Sequence, residues 1–405
     1  MVILDFTIIV GIFTCLVVPV YFYHNYTKTN FLASTWVKFM FIPSDEYFSF
    51  ALPAVVAMIA GMKIPLTGSN NKTDIPAILA KLRLYLKGNA KMGFILLAIG
   101  LASGFIYLLV PGAVKQIFYL AKQLVYVGMF YIYFSDHPRR KMVMLLSLLL
   151  AMSSAIASGM FGEMIFVLSL SLVIILLGVK ISFLSKLGFF LIGIFMVLII
   201  QTVKMDYRKM AWKQGEASAV YFTELVIHTI NSPASMYTDI QLFKTAVRLN
   251  QGWLVARTIY NVPRRFPFAN GETVWQSIAA TIVPRFLWPD KPEAGGKANL
   301  KRFWGFSLQG YSMNIGPLGE GYANFGRTGG VIFMFFYGLF FNVMLQWLIK
   351  KAGTHFTLIC WLPFLFLYTV GLETDIMTTM NSLVKGIIFM LVVFWIFKKF
   401  WNIKL

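Results

Sequence analysis

The chain has 405 residues, of which 58% are hydrophobic and only 13% charged, and its mean hydropathy is +0.72. A water-soluble protein of this length needs far more polar surface, so the soluble classes are excluded. The formal net charge of +20 would suit nucleic acid in a soluble protein, but here it must first be divided between the two faces of a bilayer, and no nucleic-acid partner is expected.

The first apolar run, 3–23, carries Asp5 and lacks both a basic leader and a small-residue cleavage pattern, so it reads as a retained helix. Further runs follow at 47–64, 92–110, 113–134, 143–157, 164–179, 187–203, 329–349, 356–372 and 383–397. Each comes near the roughly 20 residues that cross ~30 Å of hydrocarbon. The expected fold is therefore an all-α polytopic membrane protein of about ten spans. Seven spans fill 1–203, three fill 329–405, and one large helical loop, 204–328, lies between them. Ile75–Leu86, behind a helix-start loop at 70–74, reads as a basic amphipathic helix on the cytoplasmic face. Cys15 and Cys360 fall inside spans and read as packing residues, not as a disulfide or metal pair.

Basic residues decide the orientation. With both termini cytoplasmic, the inner segments hold fifteen Lys and Arg: Lys72, Lys81, Arg83, Lys87, Lys91, Arg139, Arg140, Lys141, Lys180, Lys186, Lys350, Lys351, Lys398, Lys399 and Lys404. The short outer loops hold two, Lys28 and Lys38. The large loop is then extracytoplasmic. That loop carries fifteen Lys and Arg against eight Asp and Glu. A basic outer surface suits a phosphate or diphosphate at headgroup depth, or equally the anionic headgroups of the bilayer itself.

Two cations interrupt the fourth run. Lys115 and Lys122, seven residues apart, share a helical face with Gln116 and Gln123 beside them. Lys122 lies too deep to snorkel outward, so it either lines a polar cavity that meets an anionic headgroup or pairs with a carboxylate such as Glu163. At the start of the large loop, Lys204 and Arg208 stand four residues apart on one face and could clamp a diphosphate, or simply anchor the helix end. His228 reads as a packing or hydrogen-bonding residue, and apolar positions through 235–260 have helical spacing.

Further along come Val262-Pro263-Arg264-Arg265, then Pro284-Arg285-Phe286-Leu287-Trp288-Pro289-Asp290-Lys291-Pro292, then Gly319-Glu320-Gly321-Tyr322-Ala323-Asn324-Phe325-Gly326. In their order and placement the last two stretches resemble those that close the large periplasmic loop of the Wzy-type oligosaccharide repeat-unit polymerases, the O-antigen and exopolysaccharide polymerases. The resemblance covers mainly 204–330. It implies a GT-C-like glycosyltransferase of the bacterial inner membrane, its large loop periplasmic, that joins undecaprenyl-diphosphate-linked oligosaccharides, moving the growing glycan from one lipid carrier onto the sugar of another with no need of a nucleotide sugar. A chain-length regulator is a further partner that it implies.

The residue types suit that chemistry. A lipid diphosphate leaving group gathers charge in the transition state, and guanidinium groups bind its oxygens bidentately while staying charged. Arg285 is the first expected residue, with Lys291, Arg264 and Arg265 beside it and Lys204, Arg208 and Lys122 as further diphosphate ligands. Arg285 could otherwise be a headgroup anchor beside Trp288. The acceptor hydroxyl needs a base. Glu320 is the first candidate, then Glu272 and Asp290, although Glu320 could instead organise the loop. Tyr322 and Asn324 are expected to contact sugar or diphosphate. No DxD-like pair occurs in the loop, so neither a metal ion nor another cofactor is expected. P-loop, zincin and GxSxG motifs are missing as well. Two other functions fit parts of the pattern: an O-antigen ligase-type transferase with a different acceptor, and a transporter or flippase of lipid-linked sugar.

Overall fold

The computed structural model describes residues 2–26, 40–66, 74–159, 161–177, 179, 182–214, 218–283, 287–307, 313–369 and 371–402. Of the residues considered above, Lys28, Lys38, 70–73, Lys180, Pro284, Arg285, Phe286 and Lys404 lie outside the described residues, as do the side chains of Glu163 and Lys186.

All regular elements among the described residues are helical. Seven helices there are long and apolar enough to cross a membrane: α1 (Ile3–Asn25), α2 (Ser44–Lys63), α3 (Ala90–Leu109), α4 (Val114–Phe134), α5 (Arg140–Ser158), and two near the C-terminus, Gly316–Ala352 and Ile376–Phe400. The sixth and seventh apolar runs form Phe161–Ile175, 15 residues, and Phe183–Arg208, 26 residues. The ninth run differs from expectation. It forms only Leu358–Phe366, nine residues with Pro363 inside, followed by turns, which is too short to cross by itself.

Contacts divide the chain into two units. One comprises Met1–Lys72, Ala246–Leu348 and Tyr368–Ile388; the other comprises Thr73–Thr245, Ile349–Leu367 and Phe389–Leu405. The large loop is thus shared, with 204–245 in the second unit and 246–328 in the first.

In the second unit α3 and the C-terminal half of α4 form an antiparallel pair. The backbones approach so closely that a Cβ on Gly128 would lie 2.6 Å from Gly93 O, and one on Gly100 would lie 2.5 Å from Val125 N. Small residues permit such contacts between membrane helices. The amphipathic helix Ile75–Leu86 begins at Asp74, whose Oδ1 accepts Ala77 N–H at 3.2 Å, and buries Ile78, Leu79, Leu82 and Leu86 while Lys81 and Arg83 stay exposed. Trp361 Nε1 donates to Tyr131 Oη at 3.2 Å, and Tyr207 Oη donates to Ile156 O at 2.8 Å. Both cysteines are free and buried.

In the first unit the helix Gly316–Ala352, α6, runs parallel to α2. Successive contacts advance together along both: Tyr322 on Phe50, Gly338 on Met58, and Asn342 Nδ2 donating to Gly61 O at 3.1 Å and to Ile64 O at 2.9 Å. α6 is broken at Gly326, where φ is 67° and ψ is −163°. Only glycine occupies that region without strain. The break leaves carbonyls without intrahelical partners. Ala269 N–H donates to Ala323 O and Asn270 N–H to Asn324 O, each at 3.0 Å. Gly326→Val should therefore lower stability by about 1–3 kcal/mol, measured as a shift of the unfolding midpoint in detergent. An unchanged midpoint would mean that the break is not required.

Candidate functional site

The site grows from three segments of the first unit. The helix Gly252–Asn261, α7, ends at Asn261 because Val262 precedes Pro263 and is held extended, with φ −109° and ψ 124°. Asn261 O then accepts Arg265 N–H at 2.7 Å and Phe266 N–H at 3.2 Å, while Asn261 Nδ2 donates to Phe303 O at 3.2 Å. This turn presents Arg264 and Arg265 together, with their guanidinium carbons 5.2 and 5.4 Å from the centre of the Tyr260 ring.

The first turn of α2 supplies Glu46, and the residue after the α6 break supplies Arg327. Arg264 Nη2 lies 3.3 Å from Glu46 Oε1, Arg327 Nη2 lies 3.9 Å from the same oxygen, and Arg327 Nη1 donates to Ser49 Oγ at 2.6 Å. The Tyr322 hydroxyl feels Arg327, Glu46 and Arg264. One turn back along α7 from Tyr260, Arg257 sits against the rings of Phe41, Trp304 and Phe306. Burial and the neighbouring Arg265 both push the Arg257 guanidinium below its ordinary pKa. Arg264 and Arg327 therefore share one carboxylate, Glu46, which retains 24% of its side-chain exposure, and Arg265 stands beside Arg264 on the Tyr260 ring. Such a cluster carries excess positive charge, and guanidinium forks match the oxygens of a multiply charged anion.

A second group of polar residues stands behind a small cleft of about 80 Å³ lined by Glu272, Thr273, Ser277, Asn299, Arg302 and Met377, among others. At the rim Arg302 Nη2 pairs with Glu272 Oε2 at 3.0 Å. Asn324, fully buried, donates from Nδ2 to Thr273 Oγ1 at 2.7 Å and to Glu320 O at 2.8 Å. Glu320 is fully buried too. Its Oε1 accepts Ile376 N–H at 2.9 Å, at the start of Ile376–Trp401, and Asn299 approaches the carboxyl without closing a hydrogen bond to Oε2. Beside it Asp375 caps the same helix: Oδ1 accepts Thr378 N–H, and Oδ2 accepts Gly295 and Gly296 N–H, all at 3.2 Å. Gly295 and Gly296 have φ of 102° and 77°, which turns their amides toward one point. The Glu320 carboxyl thus joins the start of its own helix to the start of Ile376–Trp401.

The other expected residues fall elsewhere. Lys291 Nζ donates to Ala280 O at 2.6 Å and Val283 O at 2.9 Å, so it caps the end of Glu272–Ile282 with its charge against the helix carbonyls. Asp290 is exposed. Lys204 is buried, and Arg208 Nε donates to Gly159 O at 2.8 Å; both belong to the second unit. Lys122 is there as well, at the end of Gly112–Lys122, where Gln123 interrupts the fourth run. Lys115 and Lys122 do share a face: their Nζ atoms lie 5.4 and 5.2 Å from the Tyr107 ring centre, and Lys122 also lies 4.6 Å from that of Tyr119. Arg285 is outside the described residues. His228 is exposed on its helix instead of packed.

Sequence reasoning overlooked Glu46, Arg257, Arg302, Arg327 and Asp375. Arg327 could have been found, because it directly follows the Gly-rich stretch. Glu46 reads in sequence as an ordinary acid in a first helical turn. No curated protein and no solved structure matches the chain. Residues 2–404 match the family described as Domain of unknown function (DUF8712), and the chain belongs to that family.

Proposed function

We propose that the protein is an inner-membrane polymerase that joins undecaprenyl-diphosphate-linked oligosaccharide repeat units into a surface polysaccharide. The observation that carries this reading is the convergence of Arg264, Arg265 and Arg327 on Tyr260, Tyr322 and Glu46. The resemblance of 284–292 and 319–326 to the Wzy-type polymerases supports it. So does the parallel packing of α2 and α6, since both would enter the bilayer from the same face and bring Glu46 and Arg327 to one surface. On the orientation favoured by the basic residues, that surface is periplasmic.

In the proposed reaction the acceptor sugar hydroxyl attacks the anomeric carbon of the donor glycan. The bond from that carbon to the diphosphate oxygen breaks, and the electron pair leaves on the lipid diphosphate. Arg264, Arg265 and Arg327 neutralise the charge that develops there. Glu46 takes the acceptor proton. A diphosphate that occupies those guanidinium groups frees the Glu46 carboxylate to face the acceptor hydroxyl. Glu320 suits this role less, because it is fully buried and one of its oxygens is spent on Ile376 N–H.

Proteoliposomes supplied with undecaprenyl-diphosphate repeat units provide the test, with glycan length read on a gel. A ladder of products that requires no nucleotide sugar and no metal ion is expected. Passage of the substrate across the bilayer without a new glycosidic bond would instead favour a transporter, and transfer only onto a lipid A core would favour a ligase.

A further inference from the structure

We infer that Arg257 and the aromatic rings around it form a subsite for an acidic sugar of the glycan. The inference deepens the proposed function and rests on it for the glycan to be present.

Phe41, Trp304 and Phe306 place their ring centres 5.0, 4.5 and 4.4 Å from the Arg257 guanidinium carbon. Rings against a guanidinium group occupy its faces, whereas its N–H donors point outward in its own plane. Among the described residues no carboxylate pairs with Arg257 or with Arg265 beside it, in contrast to Arg264 and Arg327, which share Glu46. A half-buried cation next to a like charge calls for an anion. The chemistry of the surrounding wall says which kind.

The wall is fixed from behind. Trp304 Nε1 donates to Thr258 Oγ1 at 3.1 Å, and Trp253 supports Trp304 with ring centres 5.8 Å apart. Its outer member, Phe306, remains 43% exposed, and Phe41 continues the aromatic surface to Tyr260 with centres 5.4 Å apart. A free phosphate needs guanidinium donors but no exposed ring. A pyranose that carries a carboxylate uses both, with its C–H face on the aromatic surface and its carboxylate on the edge of Arg257. A uronic acid is the simplest ligand with that pair of features.

Isothermal titration of the full chain in phosphatidylcholine nanodiscs tests this with three probes: cellobiouronic acid, cellobiose and inorganic pyrophosphate. The acidic disaccharide is expected to bind at least tenfold more tightly than cellobiose. Arg257→Gln should remove that preference, and its loss for the acidic probe should exceed its loss for pyrophosphate by at least tenfold. Phe306→Ala, a change at an exposed ring, should weaken both disaccharides severalfold. Equal binding of the two disaccharides by the unmodified protein would overturn the inference. So would an Arg257→Gln variant that loses pyrophosphate as fully as the acidic sugar, because Arg257 would then belong to the diphosphate cradle. Pyrophosphate binding that ignores Arg264→Gln would sink the diphosphate reading alone, while the preference for the acidic disaccharide would still support the subsite.

Discussion

Replacing Arg264 and Arg327 together by alanine should reduce polymer elongation by about 10²–10³-fold or more, the usual scale for removing preorganised donors from developing charge. The two side chains reach Glu46 from opposite segments, one from the turn after α7 and one from the restart of α6. Each single change should cost less than half of the logarithmic loss, because the remaining guanidinium can still hold one phosphate. Lysine at either position should restore only part of the rate, since a point charge lacks the planar fork. Initial rates of ladder formation in proteoliposomes, with protein amount matched by quantitative blotting, give the comparison. A double variant that elongates within twofold of the unmodified protein would remove these arginines from the reaction.

The largest stability loss is expected at Asp375. Its carboxylate caps Ile376–Trp401 through Thr378 N–H and also accepts the amides of Gly295 and Gly296. Asp375→Ala removes a helix cap and takes the acceptor from Gly296 N–H, while Gly295 N–H keeps Thr378 Oγ1, a loss of about 3 kcal/mol. Asp375→Asn keeps one oxygen acceptor and should lose less. Urea unfolding in detergent, followed by tryptophan fluorescence, reads both. Alanine and asparagine variants of equal stability would show that the carboxylate does not hold the 295–296 turn to this helix.

The apolar spans were the most legible part of the fold, because membrane helices must satisfy their own backbone and so need long uninterrupted hydrophobic runs. The same signal could not give helix length. Residues 356–372 are as hydrophobic as a span, yet Pro363 and the turns after Phe366 leave a nine-residue helix there. The Gly-rich stretch before Arg327 was readable as an unusual backbone path, and Gly326 is where the helix breaks.

The candidate site was only half legible. Arg264 and Arg265 were visible as adjacent cations after Pro263, and they do lie together. Lys291 carries the same sequence signal, but a lysine eight residues beyond Val283 can fold back onto helix carbonyls, and it does so. Charge alone cannot separate these uses, because helix ends and phosphates both attract cations. Glu46 lies 218 positions from Arg264 and was beyond any local pattern.

Binding of lipid diphosphate measures the role of the cluster without the complications of turnover. Undecaprenyl diphosphate and undecaprenol, titrated against the protein in nanodiscs, differ only in the charged group. At least tenfold tighter binding of the diphosphate is expected, and Arg264→Ala/Arg327→Ala should abolish that preference. Equal affinity for the two lipids, or a preference untouched by the double change, would contradict the assignment of these arginines to the diphosphate.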